Sequence, residues 1–269
     1  MTDNSDKAPV PGWMQARVSA VSHWTDNLFS LRLAAILPGF EAGQYTWLAL
    51  PADADTTVDA QQLEAIAQPY SILSTPSAPE LEFFFYTQLE GDLSRRLSRL
   101  AVGDSLWVKQ QAEGTLTLSR ASAASTLCLL ATGTGVAPFI AMLGTRDIWQ
   151  RFERVVLVYA VRQWQDLRYR ELFERTRARY PQRFQLIPFV SREPVPASEP
   201  HAIHGHIPAS LASGELEQKA GVVLRPQNSQ IMLCGNPGMV KDAIAVLHER
   251  GFRDNKPAGS GQLSYEAYW

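Results

Sequence analysis

The sequence predicts two domains of different fold class. The first is an antiparallel β-barrel or sandwich over residues 10–120, and the second is a doubly wound parallel α/β sheet over residues 121–269. The hydrophobic period is two in the first half, whereas strands alternate with helices in the second half. Two glycine-bearing turns in the second half each follow a short apolar run. A chain of 269 residues, 45% of them hydrophobic, is long enough for two cores.

Short runs with a period of two occupy the first half. Phe29, Leu31 and Leu33 are separated by polar residues, and residues 81–85 show a similar pattern. Several short strands with turn residues between them predict an antiparallel barrel or a sandwich. Two segments interrupt the pattern, a predicted helix at residues 94–100 and a predicted exposed insertion at residues 53–67.

Strands and helices alternate in the second half. Strands are predicted at residues 126–131, 155–160, 184–190 and 230–233, and helices at residues 136–144, 166–179 and 237–250. The last helix has the clearest signals, because Asn236 can cap it, Pro237 fits its first turn and Gly251 fits the position after its end. This order predicts a parallel sheet with helices on both faces, after a boundary near residues 119–125.

The two glycine-bearing turns come where parallel strands end. Residues 132–138 read Thr-Gly-Thr-Gly-Val-Ala-Pro, and residues 234–239 read Cys-Gly-Asn-Pro-Gly-Met. We expect each turn to open an amphipathic helix, and Gly133 and Gly135 permit positive φ and close approach of a ligand. The arrangement is typical of a dinucleotide site at the carboxyl edge of a sheet. The alternative is a plain strand-to-helix turn, since Pro138 replaces the usual third glycine.

Arginines follow the next two predicted strands. Arg162 comes after the second strand, and Ser191 and Arg192 come after the third. An NAD site usually has a carboxylate at such a strand end, whereas a guanidinium pairs with phosphate through two hydrogen bonds. The pair therefore predicts a nucleotide with a 2′-phosphate. The alternative is two solvated arginines in an arginine-rich stretch.

Candidates in the first half are less specific. Tyr70 and Ser71 lie in a predicted strand, and Ser94 stands where a helix N-cap would be, a position that can bind phosphate. Core packing of the tyrosine, a solvent-facing serine hydroxyl and plain helix capping are the alternatives for these three residues.

Composition argues against several classes of function. The net charge of −2 favours neither nucleic acid nor a membrane surface, and no apolar stretch is long enough to span a bilayer. Residues 1–10 lack the apolar core of a signal peptide, so we expect the cytoplasm. The two cysteines, Cys128 and Cys234, are too few for an iron–sulfur cluster, so we expect an organic cofactor and no metal. Cys128 is expected to be a small buried hydrophobe, whereas a role for Cys234 stays open.

Four ordered motifs resemble those of the ferredoxin/flavodoxin–NADP reductase family. They are Pro-Tyr-Ser at 69–71, Gly-x-x-Ser at 91–94, Gly-Thr-Gly-x-Ala-Pro at 133–138 and Cys-Gly-Asn-Pro-x-Met at 234–239. Residues 24–31 and 43–45 resemble the family's first strands, and residues 265–269 resemble the aromatic tail of its bacterial subgroup. The resemblance covers nearly the whole chain. It implies a monomer with an FAD-binding β-barrel followed by an NADP-binding domain.

The resemblance also implies which residues hold FAD. Tyr70 would pack on the flavin ring, Ser71 would contact it near its reactive nitrogen, and Thr134 would lie close by. The other implied FAD contacts are Gln68, Pro69, Phe84, Tyr86, Asp92, Leu93, Ser94, Tyr268 and Trp269.

Contacts to NADP(H) are implied at the strand ends of the second domain. They are Gly133, Gly135, Arg162, Ser191, Arg192, His206, Cys234 and Gly235. Ser71, Cys234 and Glu266 would surround the reacting atoms, with Cys234 beside the nicotinamide. The implied reaction is hydride transfer from NADPH to FAD, followed by passage of single electrons to ferredoxin or flavodoxin.

Two residues depart from the family pattern. Gln68 and His206 each stand where the family has an arginine. A neutral amide lacks the charge-assisted bond to the FAD pyrophosphate, so we expect weaker FAD retention unless Arg95 or Arg96 compensates. Histidine is mostly neutral at pH 7, so we expect a reduced and pH-dependent preference for NADP.

Other functions on the same scaffold stay open at this point. A free-flavin or ferric reductase would use FAD or FMN as a diffusing substrate, which fits Gln68. A reductase subunit that feeds an oxygenase is a further alternative. A flavin-binding redox sensor without turnover would need neither Cys234 nor the strand-end arginines. The sequence does not name the electron acceptor.

Overall fold

The computed structural model describes residues 9–51, 58–87, 92–255 and 261–267. The chain divides into two units between Gly114 and Thr115. The first unit contains a six-stranded sheet whose neighbours are all antiparallel, and the second contains a six-stranded sheet whose neighbours are all parallel. This architecture confirms the predicted fold class.

The antiparallel sheet of the first unit is a nearly closed barrel. Its strands are β1 (Trp13–His23), β2 (Leu28–Ala34), β3 (Tyr45–Ala49), β4 (Gln68–Ser71), β5 (Leu81–Tyr86) and β6 (Ser105–Lys109), in the order β4-β3-β6-β1-β2-β5. The two edge strands approach each other where Ile72 bridges to Phe83 and the Leu73 amide donates to the Glu82 carbonyl at 2.8 Å. The alternation that predicted β2 has a direct cause, because Phe29, Leu31 and Leu33 are at most 1% exposed in the barrel core.

The described residues of the first unit form helices α1 (Ala60–Ile66) and α2 (Asp92–Leu97). Most described residues of the insertion predicted at residues 53–67 are exposed, as predicted, but the segment forms helix α1 and is anchored to the barrel. Asp59 accepts a hydrogen bond from the Gln62 amide at 2.8 Å, and Leu63 is fully buried. The helix therefore covers an apolar cluster on the barrel, which includes Trp13 and Trp107.

The parallel sheet of the second unit has the order β10-β9-β8-β7-β11-β12. Its strands are β7 (Thr126–Thr132), β8 (Arg154–Val161), β9 (Phe184–Val190), β10 (Ile203–His204), β11 (Ser229–Gly235) and β12 (Leu263–Ala267). Successive strands proceed in one direction from β7 to β10, and then in the other direction from β11 to β12. The strand order therefore reverses between β7 and β11, which is where ligands bind in open parallel sheets.

Within residues 115–255 and 261–267, the helices that accompany this sheet are α3 (Ala137–Leu143), α4 (Asp147–Arg151), α5 (Arg170–Arg179), α6 (Ile207–Ser213), α7 (Glu215–Ala220) and α8 (Pro237–Glu249). The last matches its prediction, because the Asn236 side chain accepts from the amides of Gly238 and Met239, and Gly251 has a φ of +85°. The prediction that α3 is amphipathic is wrong. All of its residues are buried, as its apolar sequence requires.

One helix boundary of the second unit differs from the prediction. The helix predicted at residues 166–179 begins only at Arg170, after a 3₁₀ turn at Trp164–Asp166.

Cys128 is fully buried in the sheet core, as predicted, and both cysteines are free thiols. No helix within the described ranges is long and apolar enough to cross a bilayer. Among the same residues, no three His, Cys, Asp or Glu side chains form a group that could hold a metal ion.

Candidate functional site

The two glycine-bearing turns interlock at the point where the strand order reverses. Gly133 has a φ of +54° and Gly235 has a φ of +133°, conformations that favour glycine. A Cβ atom on Gly135 would lie 2.7 Å from the Gly235 Cα and closer still to the Cys234 carbonyl. The space beside Gly135 is therefore filled by the protein's own backbone, and close packing of the two turns accounts for this glycine.

A side chain that the sequence reasoning missed joins the two turns. The Thr132 hydroxyl accepts a hydrogen bond from the Asn236 amide at 2.8 Å, while Thr134 is buried within the turn that follows. Thr132 directly precedes the glycines of its motif, so its position was the available signal. The bond fixes the ends of β7 and β11 against each other, and so fixes the backbone amides that the turns present.

Cys234 is the penultimate residue of β11 and lies opposite Glu266 of β12. Burial raises the pKa of the Cys234 thiol well above its usual range, and the Glu266 carboxylate adds to the effect. Glu266 itself accepts hydrogen bonds from the amides of Thr115 at 3.0 Å and Leu116 at 3.3 Å. The arrangement supplies a neutral thiol next to an anchored carboxylate, rather than a nucleophilic thiolate.

The predicted arginine pair is brought together by the sheet. The Ser191 amide donates to the Val161 carbonyl at 3.2 Å, and the Arg192 amide donates to the Arg162 carbonyl at 2.9 Å. Both arginines are exposed, and within the described part of the chain neither forms an ion pair. Two exposed arginines on hydrogen-bonded neighbouring segments, neither in an ion pair among the described residues, are suited to a phosphate.

His206 follows β10 at the same edge of the sheet. The Gly205 amide donates to the Val190 carbonyl at 3.0 Å, which places His206 near the end of β9 and Ser191. His206 is exposed and precedes α6, without a hydrogen bond from its side chain to the helix. Its position agrees with a further contact to a phosphate group held at the ends of β8 and β9.

The candidate flavin contacts in the first unit centre on β4, an edge strand that pairs only with β3. The Tyr70 ring is half-buried, and its centroid lies 5.1 Å from that of Phe85. Burial raises the pKa of the Tyr70 hydroxyl, which donates to the Gln68 side-chain oxygen at 3.4 Å. Ser71 is half-buried, whereas Gln68 and Pro69 are exposed.

The neighbouring candidates occupy β5 and α2. Phe83 and Phe85 enter the barrel core, so Phe84 and Tyr86 lie on the opposite face of β5. The prediction that Ser94 is an N-cap is wrong, because it lies within the first turn of α2, where it is 3% exposed. Asp92 is exposed, Leu93 is buried, and the predicted contacts Tyr268 and Trp269 lie outside the described residues.

The two cations proposed to compensate for Gln68 differ in their surroundings. Arg96 forms an ion pair with Asp92 at 3.6 Å and donates to the Pro51 carbonyl, whereas Arg95 is exposed. The positive charge of Arg96 is therefore partly neutralised within the protein.

Comparison with known proteins identifies the family to which this geometry belongs. A family model described as an oxidoreductase NAD-binding domain matches residues 129–244. The flavodoxin/ferredoxin–NADP reductase of Escherichia coli is 36% identical over 96% of this chain and 99% of its own length, and that of Buchnera aphidicola is 35% identical with the same coverage.

A solved structure supports the same assignment. The ferredoxin NADP⁺ reductase from Neisseria gonorrhoeae with bound FAD and NADP superposes with a TM-score of 0.86 at 26% identity, over 96% of this chain and 99% of that one. Sequence and structure therefore agree along nearly the full length of both proteins. The chain belongs to the flavodoxin/ferredoxin–NADP reductase family.

Proposed function

We propose that the protein is an NADPH-dependent flavoprotein reductase that binds FAD in its barrel unit and NADP(H) in its parallel-sheet unit. The observation that carries the nucleotide assignment is the exposed pair Arg162 and Arg192, which lacks an ion pair within the described residues and lies at adjacent strand ends. A 2′-phosphate offers such a pair the bidentate acceptor that the protein itself does not supply. The Ser191 hydroxyl adds a neutral donor at the same place.

The residues of the first unit fit a flavin. Edge strand β4 leaves the peptide groups on its outer side without a strand partner among the described residues, and a planar heterocycle with polar edges can use them. Tyr70 would stack on the ring system, and Ser71 would donate to its polar edge. When bound, FAD supplies two-electron acceptance and one-electron release, which no side chain of this protein offers.

In the second unit, Cys234 and Glu266 would orient the nicotinamide. The Cys234 thiol is neutral and buried, so it adds polarizability without a charge beside the proposed nicotinamide position. Glu266 is fixed by the amides of Thr115 and Leu116 and cannot swing away without losing both bonds. We propose that this rigid pair places the reacting carbon of the nicotinamide and limits access of water.

We propose flavodoxin or ferredoxin as the electron acceptor, because the relatives that match this chain over nearly their whole length are named for these acceptors. The family resemblance also leads us to propose a monomer that acts in the cytoplasm. The test is steady-state reduction of cytochrome c by NADPH and the purified protein, with and without flavodoxin or ferredoxin. A rate that rises with carrier concentration supports the proposal, and a rate that does not depend on the carrier contradicts it.

A second candidate function is favoured by Gln68. This residue is exposed and neutral where the family pattern has a cation, and Arg96 is already paired with Asp92. Such a site would release FAD more readily and let the protein act as a free-flavin reductase. The flavin-to-protein ratio after purification separates the two, since a ratio near one favours bound FAD and a ratio near zero favours diffusing flavin.

A further inference from the structure

A carboxylate connects the two arginine-bearing segments that follow β8 and β9. Glu193, the residue after Arg192, accepts a hydrogen bond from the backbone amide of Trp164. The contact adds to the backbone bond from the Arg192 amide to the Arg162 carbonyl at 2.9 Å. The two segments are thus joined twice, at the arginines through the main chain and just beyond them through Glu193.

The turn that donates this amide is itself held by a second carboxylate. Asp166 accepts from the Gln163 amide at 3.3 Å and closes the 3₁₀ turn at Trp164–Asp166. It is 9% exposed and within electrostatic reach of Arg162 and Glu193. Asp166 therefore fixes the direction in which the Trp164 amide points, and Glu193 is the acceptor on the opposite segment.

The position of Glu193 presents an electrostatic conflict. A carboxylate next to two arginines weakens their attraction for a phosphate by its charge alone. Glu193 is half-buried and its oxygen is engaged by a backbone amide, so its contribution is geometric as well as electrostatic. It opposes separation of two like-charged side chains that would otherwise repel each other.

We propose that Glu193 is a positioning residue for recognition of the nucleotide 2′-phosphate, because it holds the segments that carry Arg162 and Arg192 at a fixed separation. This inference rests on the proposed function and extends it, since it assigns specificity to a residue that need not touch the nucleotide. It predicts that the hydrogen-bonding reach of residue 193, rather than its charge, controls discrimination between nucleotides with and without the phosphate.

The test is calorimetric binding of adenosine 2′,5′-bisphosphate and of 5′-AMP, which differ by the 2′-phosphate and require no flavin turnover. Glu193→Ala should weaken binding of the bisphosphate about fivefold, the fold-change that matches the net worth of one hydrogen bond, and leave 5′-AMP unchanged. Glu193→Gln keeps an acceptor oxygen and should bind the bisphosphate at least as tightly as the unmodified protein. Glu193→Asp keeps the charge but shortens the reach, so it should behave like Glu193→Ala.

A control with the same change of charge lies at the opposite end of β8. Glu153 is exposed and precedes the first residue of β8, whereas Arg162 follows its last residue, so Glu153→Gln leaves the arginine-bearing segments untouched. It should leave both affinities unchanged. If Glu193→Ala does not fold, as judged by circular dichroism, Glu193→Asp and Glu193→Gln still give opposite expectations.

Three results would overturn the proposal: equal effects of Ala and Gln at position 193, equal weakening of both ligands, or no preference of the unmodified protein for the bisphosphate. Failure of the proposed reductase function would appear elsewhere, as NADPH that leaves the bound flavin oxidised. The two failures are therefore distinguishable.

Discussion

The two units of this protein build their candidate sites by different means. In the parallel-sheet unit, the two interlocked turns at the centre of the site are backbone, because Gly135 packs against Cys234 and Gly235, and Thr132 accepts from the Asn236 amide. In the barrel unit, the candidate contacts are side chains of edge strand β4 and helix α2. A contact made by a backbone amide survives most side-chain replacements that leave the packing intact, whereas a contact made by a side chain is lost with it. Side-chain departures from the family pattern should therefore change cofactor affinity more in the barrel unit. Substitutions that disturb packing should lower the free energy of unfolding most in the sheet unit.

The most damaging change that we expect is Gly135→Val in the sheet unit. Its Cβ would collide with the backbone of Cys234 and Gly235, which cannot move without separating β7 from β11. The free energy of unfolding should fall by about 3 kcal/mol or more, the upper part of the range for overpacking. Urea denaturation measures the loss.

Gly238→Ala serves as the control, because its Cβ would meet the side-chain oxygen of Asn236 at 3.1 Å rather than backbone atoms. Its unfolding free energy should stay within about 1 kcal/mol of the parent value, since alanine is favoured over glycine in a helix. If Gly135→Val proved as stable as the parent, the interlocked turns would not be the basis of this site.

Alkaline pH should destabilise the sheet unit through Cys128. Burial raises the pKa of this thiol from 9.0 to about 12, with the Glu217 carboxylate adding to the shift and Arg250 opposing it. The folded state therefore holds the proton more tightly, so its stabilising effect is complete below pH 9 and is lost as pH rises towards 12. The slope attributable to this thiol is about 1.4 kcal/mol per pH unit.

Comparison of the parent protein with Cys128→Ala isolates that slope. The variant loses some packing at every pH, so the readout is the change of unfolding free energy between pH 9 and 10 rather than its absolute value. A variant that loses stability with pH as steeply as the parent protein would contradict the assignment to Cys128.

Gln68→Arg tests how much a single side chain of the barrel unit contributes to FAD retention. A guanidinium restores a charge-assisted bond to a pyrophosphate, which is roughly twice as strong as a neutral bond, so the FAD dissociation constant should fall about tenfold. Fluorescence of released FAD on dilution measures it. Gln110→Arg adds the same charge at another exposed position of this unit and should not change retention. Equal tightening by both variants would mean that overall charge is responsible.

The smallest effect is expected from His206→Arg in the sheet unit. The position is exposed and lies beside the phosphate site that we propose for Arg162 and Arg192. One more exposed charge is worth about 1 kcal/mol at most, so the ratio of NADPH to NADH affinity should rise about threefold to fivefold. His201→Arg, an exposed change nearby in the chain, should leave the ratio unchanged. An unchanged ratio for His206→Arg would remove this residue from the site.

Features determined by local chemistry could be predicted from the sequence. Helix α8 was predictable from Asn236, Pro237 and Gly251, and the arginine pair from its position after two apolar strands. Short elements were not: α4, α6, α7, β10 and β12 have too few residues to show a period. The Asp59–Gln62 capping box of α1 was readable but was not used.

Contacts between distant segments had no signal in the chain. Gly135 appeared suited to a ligand, yet its constraint comes from residues about a hundred positions away in the sequence, which only the pairing of β7 with β11 brings near. The role of Glu193 depends in the same way on the adjacency of β8 and β9. Such constraints follow from topology rather than from local pattern.

An anaerobic absorbance titration of the purified protein, first with NADPH and then with NADH, tests the account most directly. We predict flavin absorbance bands that bleach at a much lower concentration of NADPH than of NADH, because we propose that the arginine pair at the ends of β8 and β9 recognises the 2′-phosphate. A protein without flavin bands, or with bands that respond equally to both nucleotides or to neither, would contradict the central claim.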